Sequence, residues 1–154
     1  MKAILAEHGQ LWYRDTPAPT VGPADVLIHV HAAGVNPDDL TLAEAAALPR
    51  IAGQEVAGLV AGTGPQVRGW HVGDAVCALI CPSVLGAFAE WVCVLASAVA
   101  ALPAGLSFSE GATLPLAGLW AWQGLFTQGG LRSGQRVLVH GAAGAWAAWR
   151  CSWP

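Results

Sequence analysis

Short apolar segments separated by turn residues fill the first hundred positions of the chain and predict a series of β-strands. Residues 2–6 and 11–14 flank His8-Gly9-Gln10, a spacing typical of a hairpin. Residues 25–35 alternate, so that Val26, Ile28 and Val30 share one face of a predicted strand. Further strands are predicted over residues 56–64, 75–80, 87–95 and 98–102. Strands this short and closely spaced are typical of a partly open barrel or a sandwich.

The other face of the strand at 25–35 carries two histidines, His29 and His31. Side chains two residues apart on a strand point the same way, so the two imidazoles are predicted to be neighbours. They could form a metal-binding pair, or they could be ordinary histidines that face solvent. The second interpretation is favoured and the first stays open.

Helix signals interrupt the strand pattern at two places. Asn36 can cap a helix, Pro37 suits its first position, and Asp38 and Asp39 favour the positive end of its dipole, so a helix is predicted over residues 37–47. A second helix is predicted from Ser107 towards residue 126. Glu110 completes a capping box there, a break is expected near Pro115, and Gly129-Gly130 ends the helix.

After the second helix, residues 136–140 (Arg-Val-Leu-Val-His) predict a short apolar strand. The four residues that follow it are small, namely Gly141, Ala142, Ala143 and Gly144. A strand that runs into such a loop is how a dinucleotide-binding βα unit begins, because small residues let backbone N–H groups approach a pyrophosphate. The signal is weak alone, since the expected helix and the acidic residue that binds ribose are missing.

Composition excludes several classes of protein. The chain has 154 residues, is 55% hydrophobic and contains 7 Lys plus Arg and 10 Asp plus Glu, so general disorder is excluded and one domain, or one with a fragment of a second, is expected. The net charge of −3, without a basic cluster, argues against nucleic acid as a partner. Prolines and glycines interrupt the uncharged stretches 91–109 and 111–131, which argues against membrane spans. The four cysteines and the absence of a signal peptide predict a cytoplasmic location.

Several segments together resemble the medium-chain dehydrogenase/reductase superfamily, and within it the zinc-independent quinone oxidoreductases related to zeta-crystallin. The resemblance covers residues 1–144 in the correct order. The segments that carry it are DVLIHVHAAGVNPDD (25–39), GQEVAGLVAGTGPQV (53–67), WHVGDAV (70–76), GAFAEWV (86–92), LPAGLSFSEGATLPLAGLWAWQGLF (102–126) and LRSGQRVLVHGAAG (131–144).

The resemblance implies a fold that is mostly β with some α. A GroES-like, partly open β-barrel over residues 1–106 would be followed by connecting helices at 107–130 and by the first strand of a Rossmann domain at 131–144. Complete members transfer a hydride from NADPH to a small apolar quinone or enone, and the cofactor carries the chemistry. The full-length form is expected to be a homo-oligomer.

The resemblance also implies site residues. Zinc-dependent relatives place Cys at the position of Asn36 and His at that of Gln54, and amides are poor zinc ligands, so no metal is expected. Asn36 is then either an amide beside the nicotinamide or only a helix cap. Glu55 is either a polar group of the active site or only a satisfied carboxylate beside the barrel. The predicted catalytic residues are Asn36 and Glu55, and the predicted cofactor-binding residues are Asn36, Gly118, Gly141, Ala142, Ala143 and Gly144.

Two segments depart from the family pattern. The family has a small Thr at the position of Trp120, so the indole would either crowd the nicotinamide pocket or point into the core. The aromatic residues usual after the Asn-Pro turn are replaced by residues 40–47. Both changes put the cofactor contacts in doubt.

The last ten residues, AWAAWRCSWP (145–154), hold three of the eight Trp and do not continue the family pattern. Restoring one nucleotide after the Gly144 codon of a back-translation gives Gly-Val-Gly-Ser-Met-Ala-Val-Gln-Leu-Ala, close to that pattern. The tail is therefore expected to be frameshifted. A Rossmann domain needs several βα units to form its crevice, so the alternative function is a non-catalytic remnant that cannot bind cofactor.

Overall fold

The computed structural model describes residues 1–44, 49–80, 86–141 and 144, which form two antiparallel sheets and a helical segment. The strands are β1 (Lys2–Glu7), β2 (Gln10–Asp15), β3 (Asp25–Gly34), β4 (Arg50–Ile51), β5 (Glu55–Thr63), β6 (Ala75–Leu79), β7 (Trp91–Leu95) and β8 (Val99–Ala101). The helices are α1 (Pro37–Glu44), α2 (Phe108–Gly111) and α3 (Leu119–Trp122). The predicted fold class, mostly β with an open barrel-like architecture, is confirmed.

The smaller sheet has the order β2-β1-β4 and contains the predicted hairpin. β1 and β2 pair from Lys2 opposite Asp15 to Glu7 opposite Gln10. His8 and Gly9 join them with φ angles of 49° and 76°, the left-handed conformation that a tight two-residue hairpin requires. The short strand β4 was not predicted from the sequence.

The larger sheet, ordered β7-β3-β5-β6-β8, carries the main core. Val26 and Ile28 of β3 are fully buried, whereas His29 and His31 on the opposite face are exposed, as the alternation predicts. Buried aliphatic residues from the neighbouring strands complete the cluster, among them Val56, Val60, Val76, Val92 and Val94. The side chains of each strand's inner face thus form one continuous apolar layer.

The two sheets meet along residues 86–90 without closing into a complete barrel. Ala89 forms an isolated bridge with Ala3, and the Ile4 N–H donates to the Phe88 carbonyl at 2.7 Å. Phe88 also donates to the Ala52 carbonyl at 2.8 Å. The strand predicted over residues 87–95 is therefore shortened to β7, because its first part crosses between sheets.

The helical segment follows the larger sheet. Ser107 and Glu110 form the predicted capping box, with Ser107 N–H to Glu110 Oε2 at 2.8 Å and Glu110 N–H to Ser107 Oγ at 3.3 Å. After α2, residues 114–128 form a continuous helical segment in which α3 lies between two stretches of wider π-helical turns. We call residues 114–128 the connector helix. It begins one residue before Pro115 and ends at Gly129-Gly130, as predicted.

Residues 136–140 are where the sequence prediction of a strand is wrong. They pair with no strand among the described residues, and Leu138 is 81% exposed. A β-strand is stabilised by ladder hydrogen bonds and by burial of at least one face, and this segment has neither in the described structure. Within the described chain, none of the helices has the length and apolarity needed to cross a bilayer.

Candidate active site

The two residues predicted to be catalytic are in direct contact. Asn36 lies between the end of β3 and the start of α1, and Glu55 opens β5. Antiparallel pairing of these strands places Glu55 opposite Gly34, two residues before Asn36. The Asn36 Nδ2 donates to Glu55 Oε1 at 2.8 Å. The Asn36 side chain is therefore hydrogen-bonded to Glu55, a contact that a helix cap alone does not need.

Glu55 is a buried carboxylate, 3% exposed, without a basic partner in the described structure. Its second oxygen, Oε2, accepts from the backbone N–H of Leu116 in the first turn of the connector helix at 2.9 Å. The partial positive charge at a helix N-terminus favours an anion there. Glu55 is thus satisfied by two N–H donors, one of them from Asn36, which agrees with the satisfied-carboxylate interpretation, and its role in catalysis stays a prediction.

A second buried polar pair lies beside this contact. The Asn36 backbone N–H donates to Asp39 Oδ2 at 2.8 Å. Asp39 Oδ1 and Gln54 Nε2 are buried, and neither has a well-formed hydrogen bond among the described residues. The Gln54 amide nevertheless lies close enough to Asp39 to stabilise its charged carboxylate. Burial raises the pKa of Asp39, and the Asn36 N–H and the Gln54 amide oppose that rise.

The connector helix borders an apolar cavity of about 620 Å³. Gly118, the predicted cofactor-binding residue on this helix, lines it together with Leu119 and Trp122. The opposite wall comes from β6, β8 and the turn between β7 and β8. Neither Asn36 nor Glu55 lines this cavity. The predicted site residues therefore lie in two places. Asn36 and Glu55 form a polar cluster, Gly118 lines an apolar cavity, and the connector helix borders both.

Trp120 lies on the same helix and is 56% exposed. Of the two interpretations of this residue, packing in the core is therefore wrong. That the indole crowds the nicotinamide pocket stays a prediction.

The loop predicted to bind pyrophosphate is only partly described, because Ala142 and Ala143 lie outside the described residues. Gly141 has a φ of 69°, which favours glycine. The Gly144 N–H donates to the Gly141 carbonyl at 2.9 Å, so it is committed within the turn. A pyrophosphate site needs such N–H groups directed at the ligand. Because this turn is only partly described, the cofactor-binding roles of the loop and of Asn36 stay predictions.

The remaining candidate groups are two histidines and two cysteines. His29 and His31 are neighbours, as predicted, with ring centroids 5.0 Å apart. His29 stacks on Trp91 and His31 lies against Phe108, each with ring centroids 4.4 Å apart. No group of three or more His, Cys, Asp or Glu side chains that could hold a metal exists in the described part of the chain. Burial raises the pKa of Cys93 to about 11, helped by the charge of Asp25, and burial also raises that of Cys77. Both thiols are unpaired and remain protonated near neutral pH.

Comparison with known proteins decides the family. Residues 22–104, more than half of the chain, match the family described as the alcohol dehydrogenase GroES-like domain. The chain belongs to this family. Similar proteins are oxidoreductases. The mouse quinone oxidoreductase is 37% identical over 136 residues, covering 84% of this chain and 40% of that protein. The tomato 2-methylene-furan-3-one reductase is 39% identical over 138 residues, covering 82% of this chain and 35% of that protein.

The fold agrees with that of a similar protein of known structure. A mycobacterial protein solved in complex with NADPH superposes with a TM-score of 0.87 and 32% identity, over 97% of this chain and 48% of that chain. The chain thus spans about half of that structure and 40% or less of the two curated relatives.

Two residues of the polar cluster around Asn36 and Glu55 were not predicted from the sequence. Leu116 contributes only a backbone N–H, and Gly34 contributes only the space in which Glu55 lies, since a Cβ at Gly34 would collide with the Glu55 carboxylate. A weak signal existed for Leu116. Pro115 has no N–H and marks the start of a helical turn, where the following N–H groups need partners from outside the helix.

Proposed function

We propose that this chain carries the catalytic domain of an NADPH-dependent, zinc-independent reductase of small apolar quinones or enones. The observation that carries the proposal is the Asn36–Glu55 hydrogen bond, which fixes a neutral amide where zinc-dependent relatives have a metal ligand. The names of the similar proteins support a quinone or an enone as substrate, and the mycobacterial complex supports NADPH as cofactor.

The roles in this proposal follow from the site. Asn36 offers a neutral hydrogen-bonding group to the nicotinamide end of the cofactor, and Glu55 holds it in place. Gly118 leaves room beside the connector helix, and the neighbouring apolar cavity provides walls of the kind that apolar ligands prefer. Bound NADPH supplies the hydride. The free thiols Cys77 and Cys93 support a reducing compartment, and we place the protein in the cytoplasm.

A second candidate is a remnant that cannot bind cofactor. Two observations favour it: residues 136–140 pair with no strand in the part of the chain that is described, and the Gly144 N–H is hydrogen-bonded to the Gly141 carbonyl. Titration of the purified chain with NADPH, followed by nucleotide fluorescence, distinguishes the candidates. We expect no saturation in the micromolar range, and micromolar binding would contradict the remnant.

The reductase proposal needs a test that supplies a complete nucleotide lobe. Residues 1–144 can be joined to the part of mouse quinone oxidoreductase that follows its matched region. The chimera is expected to oxidise NADPH when a quinone or a conjugated enone is added, and without added zinc. The Asn36→Ala chimera should lose most of this rate. A folded chimera that binds NADPH but reduces neither acceptor would refute the proposal.

A further inference from the structure

Two histidines of β3 lie side by side on the exposed face of the larger sheet. His29 and His31 are both exposed, and their ring centroids are 5.0 Å apart. Their contacts in the described structure are to aromatic rings, and neither imidazole has a hydrogen-bond partner there. A neutral imidazole offers one nitrogen lone pair to a metal ion. Two such nitrogens are therefore available together at this place on the sheet.

A β-bulge sets the position of His31. Val30 faces Gly58 of β5, and Ala32 faces the very next residue of that strand, so His31 is the extra residue between them. Residues on the same face of a regular strand are about 6.7 Å apart. The two imidazole centroids are closer than this, at 5.0 Å. A bulge commonly re-aims a side chain, and here the two rings lie nearer to each other than regular strand geometry provides.

Aromatic side chains hold the pair of imidazoles at both ends. His29 stacks on Trp91, its partner in β7, with centroids 4.4 Å apart and ring planes 28° apart. His31 lies against Phe108 of α2 with centroids 4.4 Å apart. These neighbours contact the faces of the imidazoles, whereas a nitrogen lone pair lies in the plane of its ring. The contacts therefore restrict the two rings without covering the nitrogens, and less conformational freedom is lost when an ion binds.

The separation of the two rings suits a shared metal ion. With a metal–nitrogen bond of about 2.1 Å and about 1.1 Å from that nitrogen to the ring centre, the ion would lie about 3.2 Å from each centroid. Two centroids 5.0 Å apart then subtend an angle of about 100° at the ion, between the octahedral and tetrahedral values. Each exposed ring can adjust to the ion by rotation about its Cβ–Cγ bond, a torsion with broad energy minima.

We propose that His29 and His31 form a two-histidine chelate for a late first-row divalent cation, with Cu²⁺ bound more tightly than Zn²⁺, the order typical of nitrogen ligands. No third His, Cys, Asp or Glu side chain joins them among the described residues, so water fills the other coordination positions. The chelate is not the catalytic zinc site of zinc-dependent relatives, whose ligand positions correspond to Asn36 and Gln54. It does not depend on the proposed reductase activity.

NMR of the chain labelled with ¹⁵N-histidine tests the chelate directly, because the sequence has only five histidines. During titration with Zn²⁺ alone, a ring nitrogen of His29 and one of His31 should shift together, with the same midpoint. Different midpoints, or no shift of either signal at millimolar Zn²⁺, would overturn the proposal and leave two ordinary solvent-facing histidines.

Single substitutions test whether the two imidazoles bind one ion. His29→Gln and His31→Gln keep a polar side chain at an exposed position, and each should weaken Zn²⁺ binding at the remaining histidine at least about tenfold, since the second ligand of a chelate acts at high effective concentration. The matched control is His71→Gln, which removes an exposed histidine from a turn and should leave the affinity unchanged. Unchanged affinity in folded His29→Gln and His31→Gln, checked by circular dichroism, would overturn the chelate.

A comparison of cations tests the ligand class. Cu²⁺ should displace Zn²⁺ from the two histidines, and Mg²⁺ at the same concentration should leave their signals unmoved, because Mg²⁺ prefers oxygen ligands. Paramagnetic broadening by Cu²⁺ should reach the His29 and His31 signals before that of His71. Equal responses to Mg²⁺ and Zn²⁺, or broadening by Cu²⁺ that is uniform over all histidines, would show that nonspecific attraction of cations, and not coordination by this pair, moves the signals.

Discussion

Large apolar side chains are buried in the larger sheet, whereas several are exposed from the connector helix onward. Val26, Ile28 and Val56 in the sheet are fully buried, whereas Trp120 and Leu138 are mainly exposed. The central strands β3, β5 and β6 pair with neighbours on both sides, and the sheet shares one apolar layer. The connector helix also buries Leu116 and Leu125, whereas residues 136–140 pair with no strand in the described structure. Hydrophobicity alone therefore does not determine burial, because a partner surface is also needed.

The largest effect on stability is expected from a substitution that leaves a cavity in the larger sheet. Ile28→Ala removes a fully buried side chain from the centre of the core, and a close-packed interior recovers little of the lost contact. We expect the free energy of unfolding, measured by urea denaturation, to fall by about 2–5 kcal/mol. Leu95→Ala, at the exposed end of β7, is the strand-matched control and should change it by less than about 0.5 kcal/mol. Similar losses in both would mean that the sheet is not the stabilising core.

A second test concerns the joint between the two regions, where Glu55 contacts the connector helix. Gly34→Ala places a Cβ against the Glu55 side chain, which would have to leave both of its donors. The expected loss is about 1–3 kcal/mol, typical of overpacking in a close-packed site. Gly118→Ala is the matched control, since helical backbone angles and open space surround that position. It should be neutral or stabilising by up to about 1 kcal/mol. A harmless Gly34→Ala would show that Glu55 does not depend on this space.

The same comparison explains how much could be predicted from the sequence. The hairpin around His8-Gly9, the alternation of β3 and the capping box at Ser107 were predicted correctly, because each depends on residues close together in the chain. The strand at 136–140 was wrong, because a strand needs a partner that the local sequence does not reveal. For the site, the resemblance to the family indicated Asn36 and Glu55, but their contact depends on strand register. The Leu116 N–H has no side-chain signature at all.

A third test uses pH on Asp39, which lies in α1 next to the polar cluster. Burial raises its pKa above the ordinary 3.8, so the folded state holds this proton more tightly than the unfolded state. The stability that this proton contributes is complete below pH 3.8 and is lost as the pH rises through the folded pKa. Asp39→Asn keeps an oxygen for the Asn36 N–H and removes that loss. We expect the variant to gain stability relative to wild type between pH 4 and 8, measured by urea denaturation at each pH. A difference independent of pH would contradict this, and Glu44→Gln, at the exposed end of α1, is the control.

The smallest expected effect on stability lies in the exposed region. Leu138→Ser should leave the free energy of unfolding within about 0.5 kcal/mol of wild type, because the side chain has no packed surface to lose. It should nevertheless reduce light scattering of concentrated samples, since an exposed apolar segment promotes self-association. Leu125→Ser provides the contrast, because Leu125 is a buried residue of the connector helix and placing a hydroxyl there should be costly. If Leu138→Ser proves as destabilising as Leu125→Ser, residues 136–140 are packed in solution, and the two regions differ less than their exposure indicates.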